Sequence, residues 1–169
     1  HLDEVVFYDG NSTDGTLDEL KRRTGIRWIS EPDSGFPEAF RKGVAMAHGE
    51  YIIQCSISDG FLDRDWFARC IAMLDNDSEL SLVWGLPQSM SEEGVLGDIS
   101  YVYEWLFSAF WFPEGNFCVR KFVFEACFPV ILQDRGGDQD LWLEFNNIFH
   151  RSGYLSAFIP VVANYGRAH

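Results

Sequence analysis

Three times before residue 75, a short apolar run passes through a loop of glycine and small polar residues into a segment with helical period. That alternation leaves few folds open. Val5 to Tyr8 reads as a strand, and Thr16 with Glu19 forms a capping-box signature before Leu17 and Leu20, with Lys21-Arg22-Arg23 and Gly25 closing the helix. Ile26 to Ile29 is the next strand. After the turn Glu31-Pro32-Asp33-Ser34-Gly35, Pro37 opens a helix with Phe40, Val44 and Ala47 on one side, ended by Gly49. Tyr51 to Cys55 is a third strand, Asp63 caps a helix carrying Trp66, Phe67, Cys70, Ile71 and Leu74, and Leu82 to Trp84 begins a fourth strand. Such repeats predict an α/β fold, a mostly parallel, Rossmann-like sheet flanked by helices, with ligands at the carboxyl ends of the strands. No linker divides the chain, so residues 1–169 are expected to form one domain.

Composition removes several function classes. With 47% hydrophobic residues the chain has the means to bury a core, which excludes a disordered or fibrous reading. A formal net charge of −13 opposes nucleic-acid binding, whereas a small anionic ligand stays compatible where a metal or local dipoles offset the field. Apolar runs such as Phe158 to Ala163 fall short of the about 20 residues a membrane span needs. Cys55, Cys70, Cys118 and Cys127 lack C-x-x-C spacing and read as thiols of a reducing compartment rather than as disulfides or zinc ligands.

The densest polar stretch, Asp9-Gly10-Asn11-Ser12-Thr13-Asp14-Gly15-Thr16, leaves the first strand with more turn residues than a turn requires, so it is expected to face a ligand. Ser56-Ile57-Ser58-Asp59-Gly60 leaves the third strand in the same way. The ordered set Asp9-Gly10-x-Ser12-x-Asp14-Gly15-Thr16, Ser30-Glu31-Pro32-Asp33-x-Gly35, Ala39, Lys42-Gly43, Ala47-x-Gly49-Glu50-Tyr51-Ile52 and Ser58-Asp59 resembles family-two inverting glycosyltransferases. Gly137-Asp138-Gln139-Asp140-Leu141-Trp142-Leu143 resembles that family's second acidic motif, and Tyr165-Gly166-Arg167-Ala168-His169 the segment that often ends its catalytic core.

The resemblance implies a GT-A-like fold with a nucleotide-sugar-binding half, 1–85, and an acceptor-side half, 86–169. It also implies a nucleotide-sugar donor, a divalent cation, Mg²⁺ or Mn²⁺, on the diphosphate, and a sugar or lipid-linked acceptor whose hydroxyl attacks the anomeric carbon. Carried over position by position, Asp9, Asp33, Ser58 and Asp59 fall on the donor side, Asp59 with His169 on the metal, and Asp138 on the general base. Asp140 falls on the acceptor side, and the aromatic stretch Tyr101 to Phe112 itself, not the resemblance, offers Trp111 and Glu114 of the Pro113-Glu114-Gly115-Asn116 turn as further acceptor-side candidates. Where the family commonly has two acids, this chain has Ser58, Asp59 and Gly60, one hard ligand fewer. Bland readings stand beside these: Asp33 suits a turn, Asp138 a helix cap, and Arg120 and Lys121 either offset phosphate charge or are solvated.

The aromatic stretch Tyr101 to Phe112 reads mainly as a buried helix, with an acceptor platform and an amphipathic element resting on a membrane surface as alternatives. The resemblance further implies that a first strand and helix precede His1 in relatives, and that the enzyme acts in the cytoplasm or at the cytoplasmic face of a membrane, in polysaccharide or glycoconjugate synthesis. The alternative is a non-catalytic nucleotide-sugar-binding or scaffold domain of the same fold.

Overall fold

The computed structural model describes residues 4–56, 58–99, 116–128 and 138–167, and for 138–140 the backbone. The chain opens as expected: β1 (Val6–Asp9), α1 (Thr16–Arg22), β2 (Arg27–Ser30), α2 (Phe36–Met46), β3 (Tyr51–Ile53). There follow β4 (Gly60–Phe61), α3 (Trp66–Asn76), β5 (Leu80–Met90), β6 (Phe117–Arg120), α4 (Lys121–Cys127), α5 (Asp138–Arg151) and β7 (Leu155–Arg167). β1 and β2 form a parallel pair, and five strands form a second sheet in the order β3-β6-β5-β7-β4.

The sheet is mixed, which corrects the mostly parallel expectation while leaving the α/β class intact. β6 runs antiparallel to both neighbours and β4 antiparallel to β7, whereas β5 and β7 are parallel. The neighbouring parallel strands of this sheet, β5 and β7, need a crossover, and α5 lies in that connection before β7. β6 is inserted between β3 and β5 from later in the chain, an event that local pattern does not report.

Period-two alternation sorts the side chains into two cores, one on each face of the five-stranded sheet. Leu82 of β5, Phe117 and Val119 of β6 and Ile52 of β3 point to the face covered by α2, α4 and α5, where Val44, Phe124, Leu141, Phe145 and Phe149 meet them. Val83 and Cys118 point the other way, onto Trp66, Cys70 and Leu74 of α3. Fully burying such a side chain contributes about 1.5–3 kcal/mol.

Two helix starts differ from expectation. Gly15 occupies the N-cap of α1, and the Asp14 carboxylate accepts the Thr16 N–H at 3.0 Å and the Thr16 hydroxyl at 2.7 Å, so Asp14 does the work assigned to Thr16 and Glu19. Asp63 sits two residues before the N-cap of α3, accepting the Asp65 N–H at 2.9 Å and pairing with Arg69 at 3.2 Å.

Candidate functional site

β1 ends on Asp9, which is 4% exposed and opposite Ser30, the last residue of β2. Its Oδ2 accepts the Ser12 N–H at 3.0 Å and the Ser30 hydroxyl at 2.6 Å. Burial pushes the carboxyl upward, but hydrogen bonds from Ser12, Ser30 and the Asn11 backbone outweigh it and hold Asp9 below the usual aspartate range. Asp9 is therefore an ionised group tied into the strand ends.

The second acid-bearing loop lies against the first. The Glu31 N–H donates to the Asp9 carbonyl at 3.1 Å, extending the parallel ladder into both loops. A Cβ on residue 10 would stand 2.7 Å from Asp33 Oδ2, so glycine is what permits this approach. Asp33 Oδ1 accepts the Gly35 N–H at 2.8 Å, which realises the turn-forming reading with one oxygen and leaves the other toward Gly10.

Lys42 of α2 ties this loop down. Its ammonium donates to the Tyr8 hydroxyl at 3.0 Å and pairs with Glu31 at 2.9 Å and Glu38 at 3.1 Å. Glu38 in turn accepts the Ser34 N–H at 2.8 Å and the Ser34 hydroxyl at 2.5 Å. Those Ser34 bonds, then Lys42, hold Glu38 down to about 2. The Lys-Gly pair was visible in the sequence and Glu38 is its i,i+4 neighbour on α2, but Tyr8 and Glu31 lie on other elements and no local signal announces them.

Asp59 follows a turn in which its N–H donates to the Ser56 carbonyl at 3.1 Å. Its Oδ1 receives the Arg167 N–H at 3.3 Å and the Ser58 hydroxyl at 3.5 Å. The next two residues are β4, paired with Asn164 and Tyr165 of β7, and the Tyr165 ring fills the space a Cβ on Gly60 would need, 2.6 Å away. The structure thus joins the Ser58-Asp59 loop to the end of β7. Among the described residues, no three His, Cys, Asp or Glu side chains gather as a metal cage. Asp59 offers one hard carboxylate oxygen of the kind Mg²⁺ and Mn²⁺ favour.

Asp138 is the first residue of α5 and Asp140 lies in its first turn. Two residues on, the Trp142 ring packs against Phe36 at 6.4 Å and Phe40 at 5.6 Å between centroids. Phe36 begins α2 directly after the Asp33-Ser34-Gly35 turn, so the start of α5 is anchored beside the start of α2. Trp111, Glu114 and His169 lie outside the described residues, as does the Tyr101–Phe112 stretch.

Arg120 is buried and Lys121 partly buried, and both are bonded within the protein. Arg120 is 8% exposed; its guanidinium donates to the carbonyls of Leu74 at 2.5 Å, Asp77 at 3.2 Å and Leu80 at 2.9 Å. Lys121 donates to the Ala47 carbonyl and pairs with Glu125 at 3.7 Å. Both join elements at the opposite end of the strands from Asp9.

An acid-bearing edge on a mixed α/β sheet of this order is the architecture of GT-A glycosyltransferases. The chain superposes on S. aureus TarS 1-349 in complex with UDP-GlcNAc with a TM-score of 0.71 at 13% identity, covering 98% of this chain and 50% of that one. It superposes on the mannosyltransferase PcManGT from Pyrobaculum calidifontis in complex with GDP-Man and Mn²⁺ with a TM-score of 0.66 at 17% identity, covering 96% and 47%. Identities this low speak for the fold. In sequence, the chain matches chondroitin synthase of Escherichia coli at 33% identity over 106 residues, 60% of this chain and 15% of that protein. The model of glycosyl transferase family 2 matches residues 1–142, and the chain belongs to that family.

Proposed function

We propose that this chain is the catalytic core of an inverting glycosyltransferase, moving a sugar from a nucleoside-diphosphate sugar to an acceptor hydroxyl in polysaccharide or glycoconjugate synthesis. The observation that carries the reading is the meeting of the Asp9 and Asp33 loops at the carboxyl end of a parallel pair in a family 2 chain, with the start of α5 anchored beside them. Asp9 and Asp33 take the nucleoside, Ser58 and Asp59 the diphosphate side, and Asp138 the acceptor proton. Asp140, Trp111 and Glu114 line the acceptor side. Asp59 and His169 hold a Mg²⁺ or Mn²⁺ ion, which when bound offsets the charge that develops on the leaving diphosphate.

In the transfer itself, the acceptor oxygen forms a bond to the anomeric carbon as the bond to the diphosphate oxygen breaks, and that electron pair leaves with the diphosphate. The acceptor proton passes to the Asp138 carboxylate, a step worth roughly 10²- to 10⁴-fold. One base and no covalent intermediate give inversion. The structural neighbours bound to UDP-GlcNAc and GDP-Man support a nucleotide-sugar donor. No described helix is long and apolar enough to cross a membrane. The setting in this reading is the cytoplasm or the cytoplasmic face of a membrane, with peripheral contact there. The lone carboxylate of the Ser58-Asp59-Gly60 loop favours one rival, a non-catalytic nucleotide-sugar-binding scaffold.

The test compares wild type with Asp138→Asn in the full chain, using a panel of UDP- and GDP-sugars with Mn²⁺ and oligosaccharide and lipid-linked acceptors. The expected result is kcat lower by about 10²-fold or more with donor binding retained, and inverted product stereochemistry. Equal turnover removes Asp138 as base, and donor binding without transfer from wild type across the panel supports the scaffold.

A further inference from the structure

We propose that Lys42 is a positioning residue of the donor site, which fixes Asp33 from both flanks and gives no hydrogen bond to the donor phosphates. This rests on the donor-site reading above. An ammonium has three N–H donors, and here three acceptors take them: the Tyr8 hydroxyl, Glu31 and Glu38, at 2.9–3.1 Å. The Pro32 carbonyl stands at 3.4 Å, and the charge also lies 5.3 Å from the centre of the Tyr8 ring. Lys42 is thus saturated before a ligand arrives.

What it holds is more informative than what it lacks. Glu31 and Pro32 precede Asp33 and are gripped by Lys42 directly, while Ser34 follows Asp33 and is gripped through Glu38. Asp33 is the residue between the two clamps, with its Oδ2 against Gly10. The Tyr8 hydroxyl, then Glu31 and Glu38, hold the ammonium above the usual lysine range, so it stays charged wherever these carboxylates are ionised. With both flanks fixed, the loop binds without first having to be ordered, and preorganisation of this kind appears in affinity rather than in the chemical step.

Calorimetric titration of the full chain with UDP, GDP, uridine and guanosine separates positioning from phosphate binding. Lys42→Met is expected to weaken a nucleoside and its diphosphate by the same factor, about tenfold, the scale of a lost charge-assisted hydrogen bond. Donor KM should rise in parallel with kcat unchanged, and Lys42→Arg should restore most of the loss. Glu38→Gln, which keeps Lys42 but loosens Ser34, should show the same parity at smaller size and decides the matter if Lys42→Met does not fold. A loss confined to the diphosphates would make Lys42 a phosphate ligand and overturn the proposal. Unchanged affinity in folded variants would sink it alone, whereas a wild type that binds none of the four probes sinks the donor reading and this inference together.

Discussion

Asp14 and Thr16 show how one residue of displacement changes a role. The sequence pattern assigns the cap of α1 to Thr16, yet Asp14 carries the accepting oxygen, and the hydroxyl and N–H of Thr16 hold that carboxyl below the usual range. In urea denaturation, Asp14→Ala should therefore lower the midpoint more than Thr16→Ala; the reverse order would restore the capping box. Asp9 yields a pH dependence. Its folded pKa lies below the ordinary 3.8, so its hydrogen bonds stabilise the fold above that pH and are lost as pH falls through the folded value. The stability gap between wild type and Asp9→Asn should be full at pH 6 and narrow as pH falls below the ordinary 3.8. A gap constant across that range would mean that Asp9 is not tied as described.

Among elements, β6 is tied to its surroundings by one buried charge as well as by its ladders. Arg120 binds the final carbonyls of α3 and the first carbonyl of β5, joining three elements through a buried charge. Arg120→Met leaves those carbonyls without a donor and should cost about 3 kcal/mol in denaturant unfolding, with nucleotide affinity of the folded protein unchanged. A cost under about 1 kcal/mol would show that water replaces it. Helices α1, α2, α3 and α5 and the early strands were legible because their signals are local: Leu141, Phe145, Ile148 and Phe149 mark a buried stripe whatever packs on it, and all four join the first core, whereas the seven residues of α4 were not read as a helix. Arg120 was not, since its partners lie 40 to 46 residues away and an arginine beside a lysine reads as solvated. The 13 residues of β7 were also missed, because Ser156, Asn164 and Gly166 interrupt the apolar pattern that Phe158 to Ala163 displays. The Asp9 and Asp33 loops were legible as polar punctuation after strands, but their contact through Gly10 was not.

At the scale of the whole molecule the two sheets are unequal. β5 is buried on both faces between two cores, whereas β1 and β2 form a two-stranded ribbon joined to the larger body chiefly through α2. A two-stranded sheet has little stability of its own, so it borrows rigidity from Phe36, Phe40 and Val44 where they enter the first core. Amide hydrogen exchange should expose this as two tiers. The amides of Val6–Asp9 and Arg27–Ser30 should exchange by local opening, well before those of Leu82 and Val83 in β5. Saturating UDP or GDP should slow the first tier and leave the second untouched; uniform protection across both would show that the ribbon opens only when the whole protein does.

The pairing of Gly60 and Phe61 with β7 has a mechanical consequence. Asp59 and Arg167 are 108 residues apart in sequence but share a hydrogen bond, so the loop at 58–60 is stitched to the end of β7 by that bond and by the β4 ladder. Arg167 also stands opposite Met90 of β5, so a displacement of this end of β7 is shared between the Asp59 carboxylate and the central strand.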